Sequence, residues 1–166
     1  MSTIQTILEK YSPKYGLEIE PLYLDNAKYV DTFIEKHPTI KLDKSFVNFL
    51  QKYETIGLNT EKDNFGIYGW GMIEELNEPP IEDNDYLGFS TFIKDFEKEE
   101  SLSITFFYDL SSEREQGIYR KTCIYTQDEI TYESDYHFFC NTFIEFLEII
   151  FDWIDKNVSK EEALGN

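Results

Sequence analysis

The amino-acid sequence predicts an α+β fold, a mainly antiparallel sheet packed with N-terminal helices and a long C-terminal helix, on three observations. The first is the stretch Thr142 to Asp155. At helical spacing, Asn141, Glu145, Glu148, Asp152 and Asp155 fall in one narrow stripe, while phenylalanine, isoleucine, leucine and tryptophan fill nearly every other position. A helix so widely apolar is buried on most sides, and in a chain of this size the partner surface large enough is a sheet. The second is the run from Leu102 to Tyr132, where β-type residues alternate between polar turns, as in an antiparallel meander. The third is the order: helical patterns first, then about four to six strand patterns, then the closing helix, which is α+β rather than alternating α/β.

Taken in order, Ser2 and Gln5 form a capping signature ahead of Ile4, Ile7 and Leu8, predicting a short amphipathic helix that stops before Pro13. Tyr15 to Glu20 alternates and reads as extended; Asp25 or Asn26 then caps a helix with Tyr29, Val30, Phe33 and Ile34 on one face, closed by His37-Pro38. Asp43 caps the next helix, where Phe46, Val47, Phe49, Leu50 and Tyr53 oppose Asn48, Gln51 and Lys52. Phe65 to Trp70 reads as strand and tight turn; the spacing of Gly66, Gly69 and Gly71 matches neither nucleotide fingerprint. Glu74 to Asp85, with Pro79-Pro80 and its carboxylates, reads as a solvated loop. Tyr86 to Phe96 fits either a strand or a helix.

Leu102, Ile104, Phe106 and Tyr108 then alternate with Ser103, Thr105 and Phe107, a strand whose second face is partly apolar. Ser111 to Gly117 is a polar turn, and Ile118 to Tyr125 and Glu129 to Tyr132 supply further strands. Thr142 and Glu145, three apart, form a capping box for the closing helix. Residues 1–166 are read as one domain, with 159–166 a flexible tail; a chain of 166 residues can bury roughly 70% of the surface its unfolded form exposes and needs no disulfide or metal for stability.

Charge narrows the partners. Lys and Arg total 15 against 33 Asp and Glu, a formal net charge of -18. Nucleic acid is a poor partner for such a surface, because binding it requires cations on phosphates and only Arg114 and Arg120 carry guanidinium groups; a basic protein is a good one. Cys123 and Cys140 lack CxxC spacing and sit among apolar or β-type residues, which predicts free thiols in a reducing compartment. The N-terminus has neither the cationic nor the long apolar region of an export signal, and no run reaches the roughly 18 apolar residues of a membrane span, so a cytoplasmic location is expected.

Catalytic and metal chemistry have no sequence signature. His37 and His137 stand without ligand spacing, no G-x-S-x-G elbow is present, and a cysteine nucleophile has only His137 as conceivable partner. Glu82, Asp83 and Asp85 resemble a hard-cation loop but lack the third ligand, the glycine and the closing glutamate of the calcium pattern. No enzyme, cofactor or metal site is therefore expected. Protein binding remains, with Glu74, Glu75, Glu82, Asp83, Asp85, Glu113 and Glu115 as candidate contacts because loops and turns leave side chains free to meet a partner. The stripe of Glu145, Glu148, Asp152 and Asp155 reads as a solvated helix face.

Between residues 40 and 155 the chain resembles the SUKH superfamily (SMI1/KNR4-like proteins). Its pattern has a helix of the kind Ser45-Phe46-Val47-Asn48-Phe49-Leu50, then a glycine-bearing turn and strands, a strand ending in Tyr-Asp as Phe106-Phe107-Tyr108-Asp109-Leu110 does, and a last helix opening as Thr142-Phe143-Ile144-Glu145-Phe146-Leu147 does. The first 40 residues are only loosely similar. The single glycine of Thr55-Ile56-Gly57-Leu58 and the replacement of a glycine-rich turn by Glu97 to Ser101 depart from that pattern. The resemblance implies binding: bacterial members neutralise a polymorphic toxin, frequently a nuclease, while fungal members act as regulatory adaptors in cell-wall signalling. The leading expectation is an immunity protein that binds a cognate toxin domain; the alternative is an adaptor or scaffold for an endogenous protein.

Overall fold

Tyr108 and Phe46, packed ring on ring, mark the centre of the fold, where a strand and two helices converge. The computed structural model describes residues 1–38, 40–77, 85–111 and 113–165. Its elements run α1 (Ile4–Tyr15), β1 (Glu18–Pro21), α2 (Leu24–Lys36), α3 (Lys44–Leu50), β2 (Tyr53–Asn59), β3 (Asp63–Tyr68) and α4 (Trp70–Leu76). They continue as β4 (Tyr86–Phe96), β5 (Glu100–Asp109), β6 (Ile118–Thr126), β7 (Glu129–Glu133), β8 (His137–Cys140), α5 (Phe143–Asp155) and α6 (Lys160–Ala163). The strands form one antiparallel sheet in the order β1-β2-β3-β4-β5-β6-β7, and β8 shares with β7 the outer side of β6. This is the α+β architecture expected from the sequence. Among the described residues no helix is long and apolar enough to cross a membrane.

One face of the sheet carries the helices. Ile56 and Leu58 of β2, Phe65 and Ile67 of β3, Leu87, Phe89 and Phe92 of β4, and Leu102, Ile104 and Phe106 of β5 join Phe143, Phe146, Leu147, Ile150 and Phe151 of α5 in one core cluster. The apolar sides of α1, α2, α3 and α4 enter the same cluster through Ile7, Val30, Phe49 and Ile73. Phe146 meets Phe65, Phe89, Phe106 and Phe139 edge-on or tilted, so the closing helix is fitted across four strands.

Several elements differ from the sequence reading, each for a local reason. Tyr86 to Phe96 is a strand; its ambiguity arises because a register shift between Gly88 and Ser90 turns Phe89 and Phe92, three apart, to the same face, a spacing that imitates a helix. Pro13 lies inside α1, which runs on to Tyr15 because Tyr11 stacks on Phe151 at 4.6 Å, Tyr15 and Lys14 both bind Asp155, and left-handed Gly16 closes the turn onto the Ser12 carbonyl at 2.9 Å. Thr3, not Ser2, caps α1, in reciprocal bonds with Thr6. Neither Asp25 nor Asn26 caps α2; Glu54 of β2 instead accepts from the Tyr23 N–H at 3.0 Å and the Asn26 amide at 2.6 Å. Tyr29 is exposed, and the buried side of α2 is Val30 and Phe33. Within 159–166, expected as a flexible tail, the described residues carry α6 (Lys160–Ala163), with Ala163 fully buried.

Asp43 ties these parts together. Its carboxylate caps α3 through the Phe46 N–H (3.3 Å), takes the Tyr108 hydroxyl from the end of β5 (2.5 Å), accepts the Ser45 hydroxyl, and receives the Phe143 N–H at the start of α5 (3.2 and 3.3 Å). Thr142 accepts from the Glu145 N–H at 3.2 Å, but Glu145 returns to the Asn141 N–H at 2.8 Å, so the capping box is displaced by one residue. Burial and the adjacent Asp43 charge push the Tyr108 phenol well above its ordinary value, which keeps it a proton donor.

Asp43→Ala removes a helix cap, usually about 1 kcal/mol, and charge-assisted bonds of about 1.5–3 kcal/mol, so urea denaturation is expected to show a loss of about 3 kcal/mol or more. A loss below about 1 kcal/mol would mean that the three elements are held by apolar packing alone.

Candidate functional site

The side of the sheet away from the helices is uncovered among the described residues. Two rows of outward side chains cross it. Glu18, Gly57, Gly66, Thr91, Thr105 and Lys121 lie in register from β1 to β6. Beside them run Asn59, Asn64, Ile93, Ser103, Cys123 and Glu133, from β2 to β7. The alternation that buries Ile104 and Phe106 forces Ser103, Thr105 and Phe107 outward, so the partly apolar second face seen in the sequence belongs to this surface. The centre is made of small hydroxyl side chains and glycine, with exposed carboxylates of Glu18, Glu20, Asp95 and Glu133 around it.

One end of this face is aromatic. Tyr86 stacks on Tyr136 at 3.9 Å with rings 7° from parallel, and Phe107 and Tyr119 meet Tyr86 edge-on at 6.1 and 5.8 Å. The Arg114 guanidinium covers the free face of the pair at 4.4 Å from the Tyr86 centroid, and the Lys121 ammonium lies 5.6 Å from the Tyr136 centroid. Cation, ring, ring and cation thus form one stack. Burial raises the Tyr86 and Tyr119 phenols above their ordinary values, and the negative charge of Asp109 adds to the effect at both.

Asp109 anchors that stack from beneath. Its buried carboxylate accepts from the Ser111 N–H at 2.9 Å and from Arg114 at 2.7 and 3.2 Å, all at Oδ1; Oδ2 is buried without a hydrogen-bond partner among the described residues. Bonding to Asp109 lifts the Arg114 pKa further above its ordinary value. The Tyr119 hydroxyl donates to the Glu115 carbonyl at 2.8 Å, fixing the turn that carries Glu113 and Glu115.

Of the sequence-expected contacts, Asp85, Glu113 and Glu115 are exposed and come together at this end, where the Asp85 carbonyl accepts from the Leu110 N–H at 2.9 Å and from Arg114 at 3.5 Å. Glu74 and Glu75 are exposed but lie in α4, not in a loop. That helix forms because Gly69 passes so close to β2 that a Cβ would sit 2.5 Å from the Glu54 carbonyl oxygen, after which Trp70 and Ile73 are buried three apart. The Asn77 amide then clasps Gly88 of β4 with bonds of 2.9 and 3.0 Å, which brings the end of α4 beside the start of β4. Glu82 and Asp83 lie outside the described residues. Tyr86, Phe107, Tyr119 and Tyr136 were not among the expected contacts; strand parity opposite the buried residues is the signal that marks Phe107 and Tyr119.

His37 ends α2 against the Phe33 ring at 4.8 Å, and Cys140 is buried with its thiol directed at the Thr142 carbonyl at 3.7 Å. Burial raises both thiols, Cys140 the more strongly, and so holds them protonated. Among the described residues no group of three or more His, Cys, Asp or Glu side chains could hold a metal ion. No family model, curated protein or solved structure matches the chain.

Arg114→Ala strips buried Asp109 of its charged donor. With Arg114 itself 35% exposed, the expected cost is about 1–2 kcal/mol in equilibrium denaturation, and Arg114→Lys should recover only part of it because an ammonium cannot reproduce both bonds and the stack on Tyr86.

Proposed function

We propose that this chain is a non-catalytic protein-binding domain, an immunity protein that captures a cognate basic toxin domain, such as a nuclease, and blocks it in the cytoplasm. The observation that carries the reading is the uncovered sheet face with its aromatic end and carboxylate rim. Tyr86 of β4, Phe107 of β5 and Tyr136 in the segment before β8 form an aromatic platform, with Tyr136 stacked on Tyr86 and edge-on to Phe107, and tyrosine is a side-chain type that dominates binding energy in protein interfaces. Around it, exposed Asp85, Glu113, Glu115 and Glu133 extend the field of a chain whose net charge is -18. A nuclease needs a cationic groove for its substrate, and an acidic surface both speeds encounter with that groove and occupies it. The resemblance of Thr142 to Leu147 and of Phe106 to Leu110 to the SUKH pattern supports the same reading.

Growth of a test host that expresses the toxin-like segment encoded beside this gene, with and without this chain, tests the proposal. Specific rescue with a direct complex is expected, and raising salt from low to about 0.5 M should weaken that complex about tenfold or more, mainly through slower association. A confirmed toxic segment that the well-expressed chain neither binds nor neutralises contradicts the reading and favours an adaptor for an endogenous protein.

A further inference from the structure

The two arginines of the chain are used differently. Arg114 is paired with Asp109, whereas Arg120 has no carboxylate partner among the described residues. Its Nη1 and Nη2 donate to the carbonyls of Ala163 (2.6 Å) and Leu164 (2.9 Å) at the end of α6, and it lies over the Phe139 ring at 5.4 Å. A guanidinium has five N–H donors, so three are left without an acceptor among the described residues. Burial lowers the Arg120 pKa, as expected for a cation taken partly out of water with no counter-charge beside it.

Arg120 lines a cavity of about 340 Å³ together with Thr122, Tyr132, Ser134 and His137, closed on one side by Leu164 and Gly165. The cavity sits where β6 meets β7 and β8: Arg120 is opposite His137, and Ile124 is opposite Tyr132. Arg120 and Thr122 share the inward row of β6 with Ile118 and Ile124, so the cavity opens on the helix side, away from the aromatic stack. The Ser134 hydroxyl is already engaged, accepting from the Thr122 N–H and donating to the Asp135 carbonyl, both at 2.8 Å. The hydroxyls of Thr122 and Tyr132 and the ring of His137 have no hydrogen-bond partner among the described residues. Among the described residues no Asp or Glu side chain lines the cavity, in a chain where carboxylates outnumber Lys and Arg 33 to 15.

We propose that this cavity is a binding site for a small phosphate-type oxyanion, held by Arg120 with the Thr122 and Tyr132 hydroxyls and the His137 ring. Donors from three strands surround the space, which suits a tetrahedral anion with several acceptor oxygens. A planar carboxylate fits less well, because its two oxygens can meet only part of a donor set that comes from three strands, whereas a phosphate oxyanion offers up to four acceptor oxygens to it. The volume is near the lower end of small-ligand pockets, roughly 300–1,000 Å³. The net negative charge does not forbid the site, since exposed charges are screened beyond about 8 Å at physiological ionic strength while the partly desolvated donors act at contact. The bound anion also ties α6 to the sheet, through the same arginine that holds the Ala163 and Leu164 carbonyls.

Calorimetric titration of the full chain with inorganic phosphate, glycerol phosphate and acetate, at constant ionic strength, tests the site. Saturable phosphate binding is expected, weakened about tenfold or more by Arg120→Met and several-fold by Tyr132→Phe. Tyr132 is about half exposed on an edge strand, so its variant reports on the site even if Arg120→Met loosens α6. Tighter binding of glycerol phosphate assigns the site to a phosphorylated small molecule, and preference for inorganic phosphate assigns it to the free ion. A non-saturable response, equal binding of acetate, or phosphate affinity unchanged in Tyr132→Phe and Arg120→Met overturns the proposal.

Discussion

The Asp43 carboxylate is the constraint on which the arrangement depends. A carboxylate taken partly out of water is costly unless its oxygens are bonded, and here they are met by two hydroxyls and by backbone N–H groups at the starts of α3 and α5. Helix N-termini present unsatisfied donors and the positive end of the helix dipole, so one anion serves both. The consequence is geometric. With α3, α5 and the end of β5 fixed to one point, Phe46, Phe49, Phe89, Tyr108 and Phe143 close into a single aromatic cluster on one side of the sheet. The other side is left uncovered among the described residues.

That division separates the surfaces by role. Outward positions on β4, β5 and β6 carry the hydroxyl floor and the Tyr86–Tyr136 platform, held by the Arg114–Asp109 pair at one end. Inward positions on the same strands carry the core, and the polar groups among them on β4 are satisfied: Ser90 donates to the Gly66 carbonyl at 2.7 Å, and Lys94 is neutralised by Asp63 at 2.9 Å with the Asn157 side chain at 2.8 Å. At the margin of the core the inward row of β6 carries Arg120 and Thr122 between Ile118 and Ile124, where the last helix docks.

Much of this order was legible because local rules and tertiary structure agree. The capping role of Asp43 and Thr142, the wide apolar face of α5 and the alternation of β5 all follow from spacing, and each is what the structure shows. What was not legible involves partners distant in the chain. Nothing local to Asp43 announces that it also receives the Phe143 N–H one hundred residues later, or that Glu54 replaces a side-chain cap at α2. The bulge at Gly88 and the proline in α1 disguised a strand and lengthened a helix, because register and packing outweigh local propensity there. Among the candidate contacts, the exposure of Asp85, Glu113 and Glu115 could be read from composition and turn signals, but the ring stack could not, since Tyr86, Tyr119 and Tyr136 become neighbours only when β4, β6 and the segment before β8 are brought together.

The two cysteines allow the central claim, that binding uses the uncovered face, to be tested without altering either surface. Cys123 lies half-buried on the outward row beside Ser103 and Glu133, whereas Cys140 is buried on the helix side. Thiol labelling followed by mass spectrometry, on the free chain and on its complex with the cognate basic partner, reads the two sides separately. The account predicts that Cys123 labels in the native free chain and is protected in the complex, while Cys140 labels only on unfolding. Unchanged labelling of Cys123 in a stoichiometric complex would contradict it and move the interface to another surface.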